Sequence, residues 1–408
     1  MDFNDSPEEA EFRTQAKAWL AENAPKFVTK GASRKGTEDT EKDIAVFKEW
    51  QALKAEAGYA FISWPKEYGG RDSALDAVIY AQEEEKHNLP RDLSVIGSFA
   101  GPTLMAYASA EAQAELIPKM LKGEEIWCQL FSEPSAGSDL AGIRTRAERD
   151  GDDWVINGQK VWTSFAYMAD KAILVTRHDP TVPKHMGLTY FYVDMHSPGI
   201  EVVRIKQVSG AAEFCEVFLN DVRIPDSQRL GEVGDGWSVA LTTLMNERFN
   251  AGSSSRPDIP ELIELTRNIE IDGRPAIEDP GVRQKLAEWH VQSAGVKATR
   301  YRTLTALSKG QQPGPEMSII KLVNANKMQE VGAFGMDLQS MGGIMDDEDL
   351  APMSAMFQQA YMGAPGMRIA GGTDEILRNI IAERVLGLPP DIRVDKELAF
   401  NQLPSGGS

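Results

Sequence analysis

Glu247 and Arg248, in "GWSVALTTLMNERFNAGSSS", are a carboxylate and a guanidinium side by side, residue types that could do acid–base chemistry or pair with each other's neighbours. Trp237, Leu241, Leu244 and Met245 recur there at helical spacing and mark an inward face. Ala240, Leu244, Glu247 and Ala251 form an i, i+4, i+7, i+11 stripe. Glu247 therefore lies along the apolar margin of a helix, with Arg248 near the centre of the apolar face. A carboxylate and a guanidinium aimed inward are costly unless each meets a partner or a substrate. Burial raises a carboxyl toward the range of a useful general base, and a neighbouring cation opposes that rise. Spacing alone fits a buried ion pair equally well.

Two further stretches have the chemistry of binding. In "MRIAGGTDEILRNIIAERVLGLP", Gly371 and Gly372 free the backbone, Thr373 is placed to cap, and Asp374 and Glu375 fill the first turn. Ile376, Leu377, Ile380, Ile381, Val385 and Leu386 make an apolar face, and Gly387 with Pro389 and Pro390 stops the helix. Such a start suits an anion, and Asp374 and Glu375 then complement the dipole rather than react. The small residues and hydroxyls of "QLFSEPSAGSDLAG" can line a flat or phosphorylated ligand, or form an ordinary Ser/Gly-rich turn.

The elements that must position these residues fall into three blocks and a tail. Residues 1–125 are helical, with "WPKEYGG" as a loop; 126–232 are β-rich; 233–390 return to helix; 391–408 form a tail ending in a loose "NQLPSGGS". "KAILVTR", "GLTYFYVDM", "GIEVVRI" and "EFCEVFLNDVRIP" are short runs rich in Val, Ile, Tyr and Phe, which indicate an antiparallel barrel or sandwich rather than βαβ units. Asn157-Gly158 in "WVINGQKVW" is a hairpin signal, and "IEIDGRPAIEDPG" an interhelical loop. The fold class is α+β multidomain.

A net charge of −18 argues against nucleic acid or an anionic membrane as the main partner. The acidic start "MDFNDSPEEAEFRTQ" is unlike a secretory or transit peptide, and no apolar run spans a bilayer, so a cytoplasmic location is expected. Cys128 and Cys215 make no disulfide framework. The five histidines show no metal-ligand spacing, and there is no GxGxxG, Walker loop, HExxH or GxSxG.

"SEPSAGSD", "INGQKVWTSFA", "FLNDVRIP", "LQSMGG" and "GGTDEILRNIIAERVLG", in that order after "WPKEYGG", closely resemble the acyl-CoA dehydrogenase family over residues 5–390. The resemblance implies a helical N-terminal domain, a middle β-barrel, a C-terminal four-helix domain, and FAD bound noncovalently. It implies oxidoreductase chemistry of lipid, fatty-acid or steroid β-oxidation. An acyl-CoA thioester loses its Cα proton to a carboxylate and its Cβ hydride to flavin N5, and an electron-transfer flavoprotein accepts the electrons. By matching motif, Gln129, Leu130, Phe131, Ser132, Gly137 and Ser138 line the flavin, and Ser138 also faces CoA. Trp162, Thr163 and Ser164 pack along the isoalloxazine. Gln339, Gly342 and Gly343 approach the adenosine half from a neighbouring subunit, and Thr373 and Glu375 lie by the FAD.

Many members carry the base as a Glu immediately before the final Gly-Thr, where this chain has Gly371, which cannot take a proton. Another branch carries it on the first long C-terminal helix, just before an Arg. That match makes Glu247 the base and Arg248 a holder of CoA. Gly371 removes bulk from the acyl channel, which favours a branched, cyclic or otherwise bulky acyl group. The Arg-x-x-Phe-Gly that reaches FAD pyrophosphate in many members is replaced by "NIEIDGRPAIEDPG", leaving Arg267 or Arg274 as substitutes. A homo-oligomer, tetramer or dimer, is expected. The alternatives are a flavin-dependent oxidase or monooxygenase on the same fold, and a non-catalytic subunit of a heteromeric dehydrogenase.

Overall fold

Ser6 opens the first helix, α1 (Pro7–Asn23), with a reciprocal capping box. Its hydroxyl accepts from the Glu9 amide while the Glu9 carboxylate accepts from the Ser6 amide. The computed structural model describes residues 5–28, 41–87, 89, 92–250, 257–308, 314–393 and 395–403. Contacts divide the chain into two units, one of Asp5–Ala32, Gly36–Asn250 and Asp391–Ser408, the other of Ala251–Pro390.

The first unit begins with α1, α2 (Glu41–Glu56), α3 (Ala74–Glu84), α4 (Gly97–Tyr107) and α5 (Ala110–Leu121). Phe12, Ala16 and Leu20 of α1 are buried in a core with Trp50, Ile79 and Tyr80. Trp64 of the "WPKEYGG" loop stacks on Phe61 at 4.1 Å and joins a second core that reaches into the sheet. The strands are β1 (Trp127–Leu130), β2 (Arg146–Asp150), β3 (Asp153–Ser164), β4 (Lys171–Arg177), β5 (Leu188–Asp194), β6 (Ile200–Ile205), β7 (Phe214–Pro225) and β8 (Arg229–Leu230). Helix α6 (Gly236–Asn250) follows and packs on α4 and β5.

The strand order β6-β7-β3-β2-β4-β5-β8 is an open path, with β1 added on β4. Among the described residues no pairing closes it, so the middle region is a sheet domain where a barrel is expected. Nor is it wholly antiparallel. β1 and β2 both pair parallel to β4, β1 along Lys171–Leu174 and β2 only at Arg177. The long excursion through β2 and β3 between β1 and β4 is the kind of connection that parallel pairing requires.

Asn157-Gly158 is not the hairpin turn. It lies inside β3, and the turn between β2 and β3 is made at Gly151, φ +66°. Asn157 instead faces an irregularity in β7, its amide donating to the Asp221 carboxylate (2.9 Å) and its carbonyl oxygen accepting from the Asp221 N–H (3.0 Å). Gly158 is needed because a Cβ there would lie 2.7 Å from Thr145 Cα.

The second unit holds α7 (Ile259–Asn268), a hairpin of β9 (Glu270–Ile271) and β10 (Arg274–Pro275), α8 (Pro280–Ser308), α9 (Met317–Leu338), α10 (Met356–Met367) and α11 (Asp374–Ile380). The expected interhelical loop thus contains a hairpin, turned by Asp272 and Gly273 at φ +51° and +73°. Val331 and Phe357 are fully buried in this unit's core with Leu262 and Trp289. Thr373 caps α11 as expected, accepting from the Ile376 N–H. The apolar face does not run its full length. Leu377 is buried, but Val385 and Leu386 are exposed, because Ile381–Val385 is a π-turn whose extra residue rotates them off the stripe. The tail also departs from the loose end expected: Asn401 N–H donates to the Pro180 carbonyl at 2.9 Å.

Candidate active site

In the first unit the two motif segments expected to line a flavin lie against each other. β3 and β7 slip register between Lys160 and Thr163, leaving Val161 and Trp162 outside the ladder. The Val161 N–H turns to the Ser132 carbonyl (2.9 Å), and Trp162, at φ +60°, presents its indole to solvent with 58% of its surface exposed. Thr163 is buried beside it, and its hydroxyl has no hydrogen-bond partner. Gln129 and Ser132 are half-buried, Leu130 and Phe131 buried, Gly137 and Ser138 exposed, and Ser164 half-buried.

An ion pair missed by the sequence reasoning fixes this arrangement. Lys160 is completely buried and gives its three donors to Glu133 (2.8 Å), the Phe131 carbonyl (3.0 Å) and the Val175 carbonyl (2.8 Å). Glu133 also accepts from the Arg144 and Thr145 N–H groups at 2.6 and 2.9 Å. Burial alone would raise the Glu133 carboxyl, but Lys160 and these donors hold it below the usual carboxylate range. The signal was present: Lys160 shares the inward register of Trp154 and Ile156 on β3, and a lysine there demands a carboxylate.

Glu247 belongs to the same unit. The buried face of α6 is Val239, Ala240 and Thr243, with Leu244 and Glu247 half-buried at its flank. Leu241 and Met245, expected inward, are exposed. A helix apolar on nearly every side offers spacing no means of choosing, and the small residues win because α4 lies close. Thr243, one turn before Glu247, bonds Thr103 of α4 and Tyr190 of β5, each at 2.9 Å. Burial first, and then the Glu247 carboxylate, push the Tyr190 hydroxyl upward in pKa. Tyr190 meets Phe131 edge-on at 5.8 Å, so bonded and packed side chains run from Thr243 of α6 to Phe131 at the head of the "SEPSAGSD" loop. The side chain of Arg248 and residues 251–256 lie outside the described residues.

In the second unit, Gln339 is buried at the end of α9, and Gly342 and Gly343 follow in a tight turn. Gln358 donates to the Gln339 side-chain oxygen (3.1 Å) and the Gly342 carbonyl (3.2 Å), while the Gln339 amide nitrogen has no partner. Gly371 has φ +64°, which favours glycine, and a Cβ there would meet nothing within 4 Å. Thr373 is half-buried and Glu375 exposed. Asp374 is buried and ion-paired with Arg368 at 2.7 Å, a structural role. Arg267 and Arg274 are both exposed.

Within the sheet-bearing unit, the exposed Trp162 indole and the orphaned buried Thr163 hydroxyl beside it suit the flat, polar-edged flavin end of FAD. Among the described residues no cluster could hold a metal and no helix is long and apolar enough to cross a membrane.

Family models for the N-terminal, middle and C-terminal domains of acyl-CoA dehydrogenase match residues 6–124, 128–222 and 234–386. The chain is 37% identical over 394 residues to the acyl-CoA dehydrogenase IpdE1 of Mycobacterium tuberculosis, covering 94% of this chain and 98% of that one. It is similar to the structure described as "Tcur3481-Tcur3483 steroid ACAD", with TM-score 0.80, 26% identity and coverage of 96% and 100%. The ChsE4-ChsE5 complex of Mycobacterium tuberculosis is similar at TM-score 0.80 and 26% identity, with coverage of 96% and 100%.

Proposed function

The chain belongs to the acyl-CoA dehydrogenase family, whose fold joins helical N- and C-terminal domains to a middle sheet domain and whose members are FAD-binding oxidoreductases; from this premise we propose that it desaturates a bulky acyl-CoA thioester with Glu247 as base. The observation that carries the proposal is the place of Glu247. It is half-buried on α6, near Tyr190, within the unit that also holds the "SEPSAGSD" and "VWTS" segments.

Bound FAD supplies the acceptor for the hydride that leaves Cβ. The protein's part is to position the thioester and remove the Cα proton, which Glu247 takes on its carboxylate. Trp162, Thr163 and Ser164, with Gln129–Ser138, would line the isoalloxazine; Gln339, Gly342 and Gly343 would approach the adenosine half from a neighbouring subunit, and Thr373 and Glu375 would lie by the FAD. Arg248 and Ser138 would take CoA. Two observations support a branched, cyclic or otherwise bulky acyl group: Gly371 leaves the usual base position without a side chain, and one similar structure is described as a "steroid ACAD". An electron-transfer flavoprotein is the proposed acceptor.

Titration with an acyl-CoA panel, followed by flavin bleaching, tests the proposal. Bulky cyclic thioesters should bleach the flavin. Glu247→Gln should bind them and bleach at least about 10²-fold more slowly. Preference for straight medium chains, or full bleaching by Glu247→Gln, would refute it. A second reading, favoured by the similarity to the ChsE4-ChsE5 complex, is that the chain works beside a different subunit. Flavin retained by the protein purified alone would count against that dependence.

A further inference from the structure

Residues beyond the last helix turn back onto the sheet-bearing unit and cover one side of the loop between β1 and β2. The Phe400 ring lies over the Arg177 guanidinium, 3.5 Å from ring centroid to Cζ. Phe400 N–H donates to the Val182 carbonyl (2.9 Å), and Ala399 bridges to Pro183. Asp395 meets Lys184, whose ammonium also holds both oxygens of Asp139 at 2.9 and 3.0 Å.

Both covered cations grip the loop. Arg177 donates to the carbonyls of Ala141 and Ile143 and, at 3.1 Å, to that of Lys184. Burial pulls Arg177 down to about 10, so it remains a cation near neutrality. Asp139 directly follows Ser138. The loop is thus pinned at its base by Glu133 and Lys160 and along its far side by two cations under the C-terminal segment.

We propose that residues 395–403 are a positioning strap: by covering Arg177 and completing the charge partners of Lys184 they hold the Ser138–Ile143 stretch in register, and so set the affinity of the loop for its cofactor. The second half of this proposal rests on the flavin site described above. Asp395, Phe400, Arg177 and Lys184 are positioning residues, with no part in the chemistry. A strap works here because, without it, water would reach Arg177 and Lys184 and compete with the loop carbonyls and the Asp139 carboxylate for their donors. The aromatic face and the second carboxylate keep those bonds dry.

Amide hydrogen exchange of the full chain, compared with Phe400→Ala, Asp395→Asn and Phe400→Tyr, tests the strap without any cofactor. The reporters are the Gly142 and Ile143 amides, bonded to Asp139 and Leu140 within the loop, with strand β4 as the reference. Phe400→Ala should speed their exchange about tenfold, Asp395→Asn less, and Phe400→Tyr hardly at all. FAD affinity, read by flavin fluorescence, should weaken in the same order. Unchanged loop exchange, or acceleration spread evenly over β4, would overturn the strap. Faster loop exchange with unaltered FAD affinity would overturn its link to the cofactor. A full chain that binds no FAD would instead defeat the reading in which it works alone, leaving the strap to stand or fall on exchange.

Discussion

Lys160→Met keeps most of the side-chain length and deletes the charge beneath the "SEPSAGSD" loop. Glu133 would then be a buried carboxylate with two backbone donors and only the more distant Arg177 as a cation. Breaking such a pair from one side costs about 3–5 kcal/mol, whereas replacing both partners is far milder. Urea unfolding should therefore show a large loss for Lys160→Met and partial recovery in Glu133→Gln/Lys160→Met. Equal loss in the single and double variants would show that the pair is not coupled. The motif residues themselves were legible from sequence because they sit in contiguous runs. The Glu133–Lys160 bond was not, since its partners are separated by β2 and joined only when β1 and β3 pack.

At the scale of elements, α6 is set by polar contacts rather than by an apolar stripe. Thr243→Val removes the hydroxyl shared with Thr103 and Tyr190 and leaves the buried Tyr190 hydroxyl short of a partner. A loss of about 1–3 kcal/mol is expected in urea unfolding, and a neutral result would show that packing alone seats the helix. The order of helices, strands and helices was readable from periodicity, and so was the Thr373 cap, because its signals lie within four residues. Asn157-Gly158 was misread as a turn because its true partner, Asp221, belongs to a strand far along the chain. The docking of residues 395–403 left no local trace: it depends on cations brought together by β4 and the loop after it.

Across the whole molecule, several carboxylates titrate below their ordinary values. Asp226 is lowered to about 2 by Arg229 and the Trp154 indole, Asp395 is lowered by Lys184, and Glu133 keeps its charge despite burial. A folded-state pKa below the unfolded one gives stability that is complete above the unfolded value and lost as pH falls through the folded value. The melting temperature should drop between about pH 4 and pH 2, and the Lys160→Met variant should show a shallower drop because Glu133 no longer contributes. An acid profile identical to the parent would contradict that assignment. The bulge that swings Trp162 outward has an optical consequence. Of the eight tryptophans, Trp50, Trp64, Trp127, Trp154 and Trp289 are sealed in cores and Trp19 and Trp237 are half-buried, so the most exposed indole, Trp162, leads the long-wavelength edge of the protein's ultraviolet emission. Acrylamide should extinguish it first, and any flat chromophore settling on the ring should dim it in proportion to occupancy, giving a label-free gauge of site filling.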